Sequence, residues 1–203
     1  MIEDIFKTPV FSVQLDLDND RLYKDCLKIK RQYKGRLVSN RGGYQSGQLL
    51  GLETESFKEL SKTITQHTGD FSKHINLEVD KLKDLWCNIN HYKDYNLTHE
   101  HFDAYNKLSG VYYVRAPKNC GKLVLYHPGK FVEHSWSLKI PDGHHNQWTG
   151  SVWRVVPKPG KLVIFPAWLD HTVYPFDSKY SHPDTKGERR SFSCNMTYKF
   201  KDA

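Results

Sequence analysis

The stretch Gly160–Tyr174, GKLVIFPAWLDHTVY, contains two short runs of strand-forming residues joined by a turn. The first run, Lys161–Phe165, is rich in β-branched and aromatic side chains, which are enriched in strands. The second run is Thr172–Tyr174, and His171 lies directly before it. This pattern predicts two short strands, with His171 after the first and at the opening of the second.

The same pattern continues through the C-terminal part of the chain, where turn residues such as Pro128-Gly129 separate the runs. The additional predicted strands are Leu85–Tyr92, Leu108–Arg115, Lys122–Tyr126, Ser151–Val156 and Arg190–Phe200. Many short strands at this spacing predict a β-sandwich or jelly roll.

The N-terminal part has a different character. One strand is predicted at Phe6–Leu15, and the spacing of apolar residues predicts helices at Arg21–Tyr33 and Phe57–His67. We therefore expect a mainly β fold with flanking helices. The expected organisation is a single domain over residues 1–203, with mostly helical support in 1–84 and the β core in 85–203.

The composition excludes a chain that spans a membrane by a helix. Hydrophobic residues make up 38% of the chain, and no apolar run approaches the roughly 20 residues that a spanning helix needs. Met1–Thr8 lacks the basic and then apolar pattern of a signal peptide. We therefore expect a cytoplasmic protein with reduced, buried thiols at four widely spaced positions: Cys26, Cys87, Cys120 and Cys194.

The formal net charge is +7, and one local cluster stands out. The segment Arg21–Arg41 contains eight basic residues and one acid, Asp25. Two interpretations stay open: a solvated helix face with its adjoining loop, or a patch that follows the phosphates of a nucleic acid.

A candidate metal site lies in the segment THEHFDAYNKLSG, where His101 and Asp103 form an H-x-D pair. On a strand, residues two apart point to the same face, so both side chains could reach one cation. His171 is the candidate third ligand. Two histidines and one carboxylate leave three adjacent positions free, which is typical of non-haem Fe(II) oxygenases. His99 stays open as an alternative ligand, because it forms an H-x-H pair with His101.

A candidate anion site lies near the C-terminus. In GERRSFSCN, Arg189 and Ser191 would share one face of a strand, and a guanidinium suits a carboxylate cosubstrate. That polar face would line the interior. The other face would pack against the N-terminal helices, and it carries Arg190, which is the alternative candidate for binding the anion. Asn90 and Tyr92 would share another strand face and bind the carboxylate end of the cosubstrate.

Several motifs occur in order along nearly the whole chain. They are Phe6–Phe11 (F-x-T-P-V-F), Ser39–Ser46 (S-N-x-G-G-aromatic-Q-S), Ser109–Val114 (S-G-V-Y-Y-V), Gly160–His171 and Arg189–Asn195 (R-x-S-x-S-x-N). With them the sequence resembles the 2-oxoglutarate/Fe(II)-dependent oxygenase superfamily. It resembles most the members found in marine bacteria and their phages. Many of those have H-x-H-P at the metal pair, where this chain has His-Phe-Asp-Ala.

The resemblance implies a double-stranded β-helix, which is a cupin-like jelly roll, with N-terminal supporting helices. It implies Fe(II) bound by His101, Asp103 and His171, and 2-oxoglutarate bound by Arg189 and Ser191. Dioxygen would be the second cosubstrate, and ascorbate an optional reductant. The implied activity is a dioxygenase that hydroxylates a small molecule or a protein and releases succinate and CO2. Ser39–Ser46 and Glu133–Trp148 are candidate lid segments by composition.

Two other functions are retained. The spacing of Asn90, Tyr92, His101 and Asp103 also occurs in oxidative demethylases of alkylated nucleic acid, and the basic segment Arg21–Arg41 favours that branch. Against it, Arg189 has no second arginine six residues later. The other alternative is a non-catalytic, cupin-like module that binds a metal or a ligand. A phage-encoded copy would act in the host cytoplasm.

Overall fold

A computed structural model describes residues 5, 7–52, 54–79, 81–103, 105–118, 120–129, 140–141, 144–175 and 189–197. Within these residues the strands form two antiparallel sheets, and the helices pack against the larger sheet. The prediction of a mainly β jelly roll with flanking helices is confirmed. The proposed boundary at residue 84 stays a prediction.

The larger sheet contains the strands that surround the C-terminal segment. Numbered in chain order, they are β1 (Phe11–Gln14), β3 (Tyr44–Gln45), β4 (Lys81–Asn90), β6 (Asn106–Arg115), β9 (Lys161–Pro166) and β11 (Arg189–Thr197). Their order across the described part of the sheet is β1-β9-β6-β11-β4-β3. Strand β11 therefore lies between two ten-residue strands, β4 and β6, with Ser191 opposite Asn88 on one side and Tyr113 on the other.

The smaller sheet carries the histidines. Its described strands are β2 (Asn40–Arg41), β5 (Tyr95–His99), β7 (Leu123–Tyr126), β8 (Val152–Val155) and β10 (His171–Val173). Their order is β2-β5-β10-β7-β8. Strand β10 pairs with β5 in a register that places His171 opposite His99.

The two described helices are α1 (Asn19–Gln32) and α2 (Glu55–His74). The carboxylate of Asp18 caps α1 by accepting a hydrogen bond from the backbone N–H of Arg21 at 2.9 Å. Leu22, Cys26 and Ile29 recur at helical spacing and form the buried stripe of α1. Helix α2 is longer than the predicted Phe57–His67 because its stripe continues to the buried Phe71.

Among the described residues, two clusters of buried side chains form the core. One joins both helices to the larger sheet, with Phe192 and Cys194 of β11 among its members. The other lies between the sheets and includes Val111, Val163 and Leu125. Because successive side chains of a strand alternate between faces, Arg189, Ser191 and Ser193 of β11 line a cavity between the sheets. This is the alternation that the sequence predicts.

Strand β5 is absent from the sequence-based prediction, because Asn96, Thr98 and His99 make it polar. The segment Ser39–Ser46 is also not a loop throughout, because it contains two short strands: β2, which belongs to the smaller sheet, and β3, which belongs to the larger one. Gly42 and Gly43 connect β2 to β3 with φ angles of 69° and 64°, which favour glycine.

Some predictions fall on residues outside the described ranges. These are Phe6 at the first strand, 198–200 at the last strand, and 133–139 with 142–143 in the second candidate lid. Among the described residues, no helix has both the length and the apolar character needed to cross a membrane.

Candidate metal centre and cosubstrate cavity

Three imidazoles converge at one end of the smaller sheet. His99 ends β5, His101 follows it by two residues, and His171 opens the neighbouring strand β10. One ring nitrogen from each residue lies within 4.8 Å of those of the other two. The ring centroids are 4.3 Å apart for His99 and His171, and 5.1 Å apart for His101 and His171. The arrangement can hold a divalent metal ion, because imidazole nitrogen is a common metal ligand.

Backbone carbonyls orient two of the rings. The Nδ1 of His99 lies 2.7 Å from the carbonyl oxygen of Leu97, and the Nδ1 of His171 lies 2.9 Å from that of Leu169. A carbonyl oxygen can only accept, so each Nδ1 carries the proton and donates it. The Nε2 lone pair is then left for a metal, and this is the usual way in which an outer partner sets the tautomer of a ligating histidine.

Two of the rings, those of His101 and His171, are held in the neutral form. Burial, and then the neighbouring His99, lower the pKa of His101 to about 4. The same two causes lower the pKa of His171 to about 3. Neutral imidazoles have a free lone pair, so at neutral pH a metal ion would not have to displace protons from these two residues.

The predicted ligand Asp103 is not in this group of three, although its charge acts on His101. Strand β5 ends at His99, so His101 and Asp103 do not share a strand face. The Oδ1 of Asp103 accepts hydrogen bonds from the backbone N–H groups of Tyr105 and Asn106, and its Oδ2 accepts from Lys83 Nζ at 3.2 Å. Burial alone would raise the pKa of Asp103, but these hydrogen bonds and the Lys83 ammonium hold it below its usual value. The structure thus groups His99, and not Asp103, with His101 and His171.

A cavity of about 360 Å³ connects the imidazoles to Arg189. Its polar lining includes Asn88, Asn96, Ser109, Ser191 and Ser193, and its apolar lining includes Val111, Leu123, Phe165 and Val173. Arg189 and Glu100 are the carriers of full charge among the described lining residues. An anion that enters this cavity would therefore meet its complementary charge at Arg189.

Arg189 is buried, with 3% of its surface exposed. Its Nη1 donates to the carbonyl oxygen of Gly121 at 2.7 Å, while its buried Nε has no hydrogen-bond partner among the described residues. Burial lowers its pKa, and the nearby Tyr113 and Cys120 act in the opposite direction. A buried cation with an unused donor fits a carboxylate ligand, because burying a charge is costly unless it is paired.

The rival Arg190 lies on the opposite face of β11. Its guanidinium stacks over the ring of Tyr23 in α1 at 3.9 Å, and its Nη1 donates to the Tyr23 carbonyl oxygen. Neighbouring arginines in the sequence are thus divided between the cavity and the helix layer, as the strand alternation predicts.

Asn90 and Tyr92 do not share a strand face, because β4 ends at Asn90. Asn90 is buried, and its side chain donates to Asn96 at 3.5 Å. Tyr92 lies in the following turn with 42% of its surface exposed, and neither residue is among those that line the cavity. The expectation that Asn90 and Tyr92 share a strand face is therefore wrong, because the strand ends before Tyr92.

Sequence reasoning did not single out several lining residues, among them Tyr113, Asn88 and Trp86. Tyr113 is buried near Arg189, and burial raises its pKa. Asn88 donates to Ser193 Oγ at 2.9 Å, and the ring of Trp86 lies 5.7 Å from that of His101. The alternation of side chains along the predicted strands could have identified them. Trp86 and Asn88, for example, are two residues apart on β4.

A family model described as "Putative 2OG-Fe(II) oxygenase" matches residues 84–195, which is more than half of the chain. The chain belongs to this oxygenase family. It is accordingly an oxidoreductase, a 2-oxoglutarate-dependent Fe(II) dioxygenase, and Fe(II) and 2-oxoglutarate are its cofactor and cosubstrate. The predictions of enzyme class and cofactors are confirmed, whereas the narrower resemblance to marine bacterial and phage proteins stays a prediction.

Solved structures of similar fold include a prolyl-4-hydroxylase from Pseudomonas putida, with 15% identity and a TM-score of 0.68 over 95% of this chain and 94% of that one. Another is the carbocyclase SnoK from nogalamycin biosynthesis, with 10% identity and a TM-score of 0.66 over 94% and 80%. HygX from Streptomyces hygroscopicus, with nickel and 2-oxoglutarate bound, has 8% identity and a TM-score of 0.62 over 95% and 84%. At these identities the likeness concerns the fold. No curated protein matches the chain.

Proposed function

We propose that His99, His101 and His171 bind the Fe(II), that Arg189 and Ser191 bind the distal carboxylate of 2-oxoglutarate, and that the enzyme hydroxylates a small molecule or a protein. The observation that carries the proposal is one cavity that joins three imidazoles to a buried guanidinium with an unused donor. When bound, the iron would activate dioxygen as the oxidant: one oxygen atom would oxidise 2-oxoglutarate to succinate and CO2, and the other would hydroxylate the substrate.

The protein contributes binding and orientation. The carbonyls of Leu97 and Leu169 fix two of the rings, so the ligand nitrogens need little rearrangement. The guanidinium of Arg189 offers a planar fork that can pair with both oxygens of a carboxylate, and the hydroxyl of Ser191 lines the same cavity. The buried apolar side chains of Leu123, Val111 and Phe165 form one wall of the same cavity.

An anaerobic titration with Fe(II) and 2-oxoglutarate tests the proposal. The expected result is a visible charge-transfer absorbance in the wild type, with succinate formation once air is admitted. The absorbance should be lost in His99→Ala and retained in Asp103→Asn. If His99→Ala keeps it and Asp103→Asn loses it, the carboxylate is the third ligand and our assignment is wrong.

The demethylation of alkylated nucleic acid is a second candidate, because the basic segment reaches the cavity. Residues 31–38 are exposed and include Arg31, Lys34 and Arg36, and the segment leads to Val38 and Ser39 in the cavity lining. Formaldehyde release from a methylated oligonucleotide would support this candidate. Binding that weakens with added salt, without formaldehyde release, would indicate electrostatic contact alone.

The non-catalytic alternative is not favoured, because the chain belongs to an oxygenase family. Conversion of 2-oxoglutarate to succinate without an added substrate tests it at little expense. No succinate from iron-loaded enzyme, with or without candidate substrates, would restore a ligand-binding module as the better interpretation.

A further inference from the structure

We infer that the opening of the active-site cavity carries a docking surface for an acidic polypeptide segment. This surface, the basic rim, consists of residues 30–38 together with Arg41 of β2 and Leu97 of β5. The inference rests on the proposed function and narrows it, because it names an acidic polypeptide as the substrate class. It does not depend on which residue joins His101 and His171 at the metal.

The charge of the basic rim has one sign. Residues 30–41 contain no acid and five basic residues: Lys30, Arg31, Lys34, Arg36 and Arg41. Residues 31–38 are all exposed. The preceding acid, Asp25, is buried, and Asp94 in the turn after β4 accepts a hydrogen bond from the backbone N–H of His91 at 2.7 Å. A partner with negative charge therefore meets a complementary surface beside the cavity.

Exposed apolar side chains in the basic rim favour a polypeptide over a nucleic acid. The exposed fractions are 78% for Leu37, 60% for Val38 and 40% for Leu97. Val38 and Leu97 also line the active-site cavity, so the apolar surface continues from the rim into the site. Protein–protein interfaces have an apolar centre, whereas interfaces with nucleic acid are more polar and more positively charged.

A second cavity extends along the basic rim. It has a volume of about 390 Å³, and its described lining includes Arg36, Leu37 and Gln45. Gln45 lines the active-site cavity as well, so the two cavities are adjacent at this side chain. Its buried Oε1 has no hydrogen-bond partner among the described residues. A polypeptide backbone offers N–H donors to such an acceptor, whereas the phosphodiester backbone of a nucleic acid offers none.

Fluorescence anisotropy with the full-length protein, loaded anaerobically with Co(II) and 2-oxoglutarate, tests the inference. The acidic probe is a labelled peptide of three Glu-Ala-Glu-Leu repeats, and the neutral probe replaces each Glu by Gln. The third probe is a single-stranded oligothymidylate of the same length. We expect the acidic peptide to bind at least about 10-fold more tightly than the neutral one at low salt. At physiological salt, which screens contact with phosphates, it should also bind more tightly than the oligonucleotide.

Two triple variants remove the same charge from different places. The rim variant is Arg31→Gln/Lys34→Gln/Arg36→Gln. The control variant removes three exposed lysines of α2 and is Lys58→Gln/Lys62→Gln/Lys73→Gln. The rim variant should lose about 10-fold in affinity for the acidic peptide at low salt, because several exposed ion pairs each contribute a little. The control variant should bind as the wild type does.

Leu37→Ser tests the apolar part of the basic rim without changing its charge. Affinity for the acidic peptide should fall by about 10-fold, because a partner no longer buries a large side chain at this position. The salt dependence should stay as in the wild type. Since Leu37 is 78% exposed, its replacement leaves the core of the protein intact.

The outcomes separate this inference from the proposal on which it rests. If the wild type does not prefer the acidic peptide, or if the rim and control variants lose affinity equally, the inference is wrong and the proposed function stands. Tighter binding of the oligonucleotide that is lost in the rim variant would also overturn it and would favour nucleic acid as the substrate. If the protein binds the peptide at the basic rim but takes up neither Co(II) nor 2-oxoglutarate, the docking surface stands and the proposed function fails.

Discussion

The two ends of the cavity are built in different ways. Arg189 and Ser191 lie on β11, which is hydrogen-bonded on both sides to long strands, and both side chains are nearly fully buried. His99 and His101 lie at and beyond the end of β5 and are partly exposed. A site on a central strand is positioned by the sheet itself, whereas a site at a strand end depends on the turn that follows. The anion end is thus fixed by regular structure, and the metal end by side-chain hydrogen bonds.

The largest effect should come from the metal end. His171→Ala removes the one fully buried imidazole of the cluster, so metal affinity should fall by more than the ~10- to 100-fold typical of losing an outer-shell partner. Isothermal titration with Co(II) measures this loss. His74→Ala, an exposed histidine at the end of α2, is the control and should bind as the wild type does. Equal binding by both variants would place the metal elsewhere.

The anion end should respond separately from the metal end. Arg189→Met should raise the KM for 2-oxoglutarate by at least ~30-fold, since losing one partner of a buried charge pair costs about 2–5 kcal/mol. Co(II) affinity should change little. Arg190→Met should instead lower the melting temperature without changing that KM, because Arg190 packs on Tyr23. The reverse pattern would mean that Arg190 binds the cosubstrate.

This division matches what the sequence could predict. Alternation along one strand is a local property, so it separated Arg189 from Arg190 without any knowledge of the fold. Placing Asp103 required knowing where β5 ends, and that end is set by the pairing of β5 with β10 and by the hydrogen bonds of Asn106. Periodicity carries no information about such contacts, and the same limit applies to Tyr92 beyond the end of β4. The jelly roll could be predicted from the sequence because many short apolar runs together indicate it.

A smaller effect at the anion end should follow from Gly121→Ala. A Cβ at Gly121 would lie 1.6 Å from the carbonyl oxygen of Tyr174, so the backbone must shift, and the carbonyl of Gly121 is the acceptor for Arg189. We expect a lower melting temperature and a KM for 2-oxoglutarate that rises less than in Arg189→Met. Gly69→Ala is the matched control, since its Cβ would meet nothing within 4 Å and helix α2 should gain ~0.5–1 kcal/mol. An unchanged KM in a folded Gly121→Ala would show that the Gly121 carbonyl does not position Arg189.

The metal end should also make the stability of the metal-free protein depend on pH. The pKa values of about 4 for His101 and about 3 for His171 lie below the ordinary value of 6.5, so the unfolded chain binds more protons between these limits. Stability is fully present above pH 6.5 and falls as the pH drops towards the folded-state values. At pH 5.5 the loss is about 1.4 kcal/mol for each histidine relative to neutral pH. Urea unfolding at pH 7.5 and 5.5 measures the loss.

His171→Leu is the matched variant, because it keeps a buried side chain and removes one titrating ring. Its loss of stability between the two pH values should be smaller than that of the wild type by the share of one histidine. Bound metal should not reduce the loss, because the ion keeps protons off the folded-state nitrogens while the unfolded chain still takes them up. An equal loss in wild type and His171→Leu would mean that the folded and unfolded chains bind protons at His171 alike, so the fold does not hold this ring in the neutral form. Protons would then compete with a metal ion at His171 near its ordinary pKa of 6.5, and the burial of this ring would give the metal end no advantage over an exposed histidine.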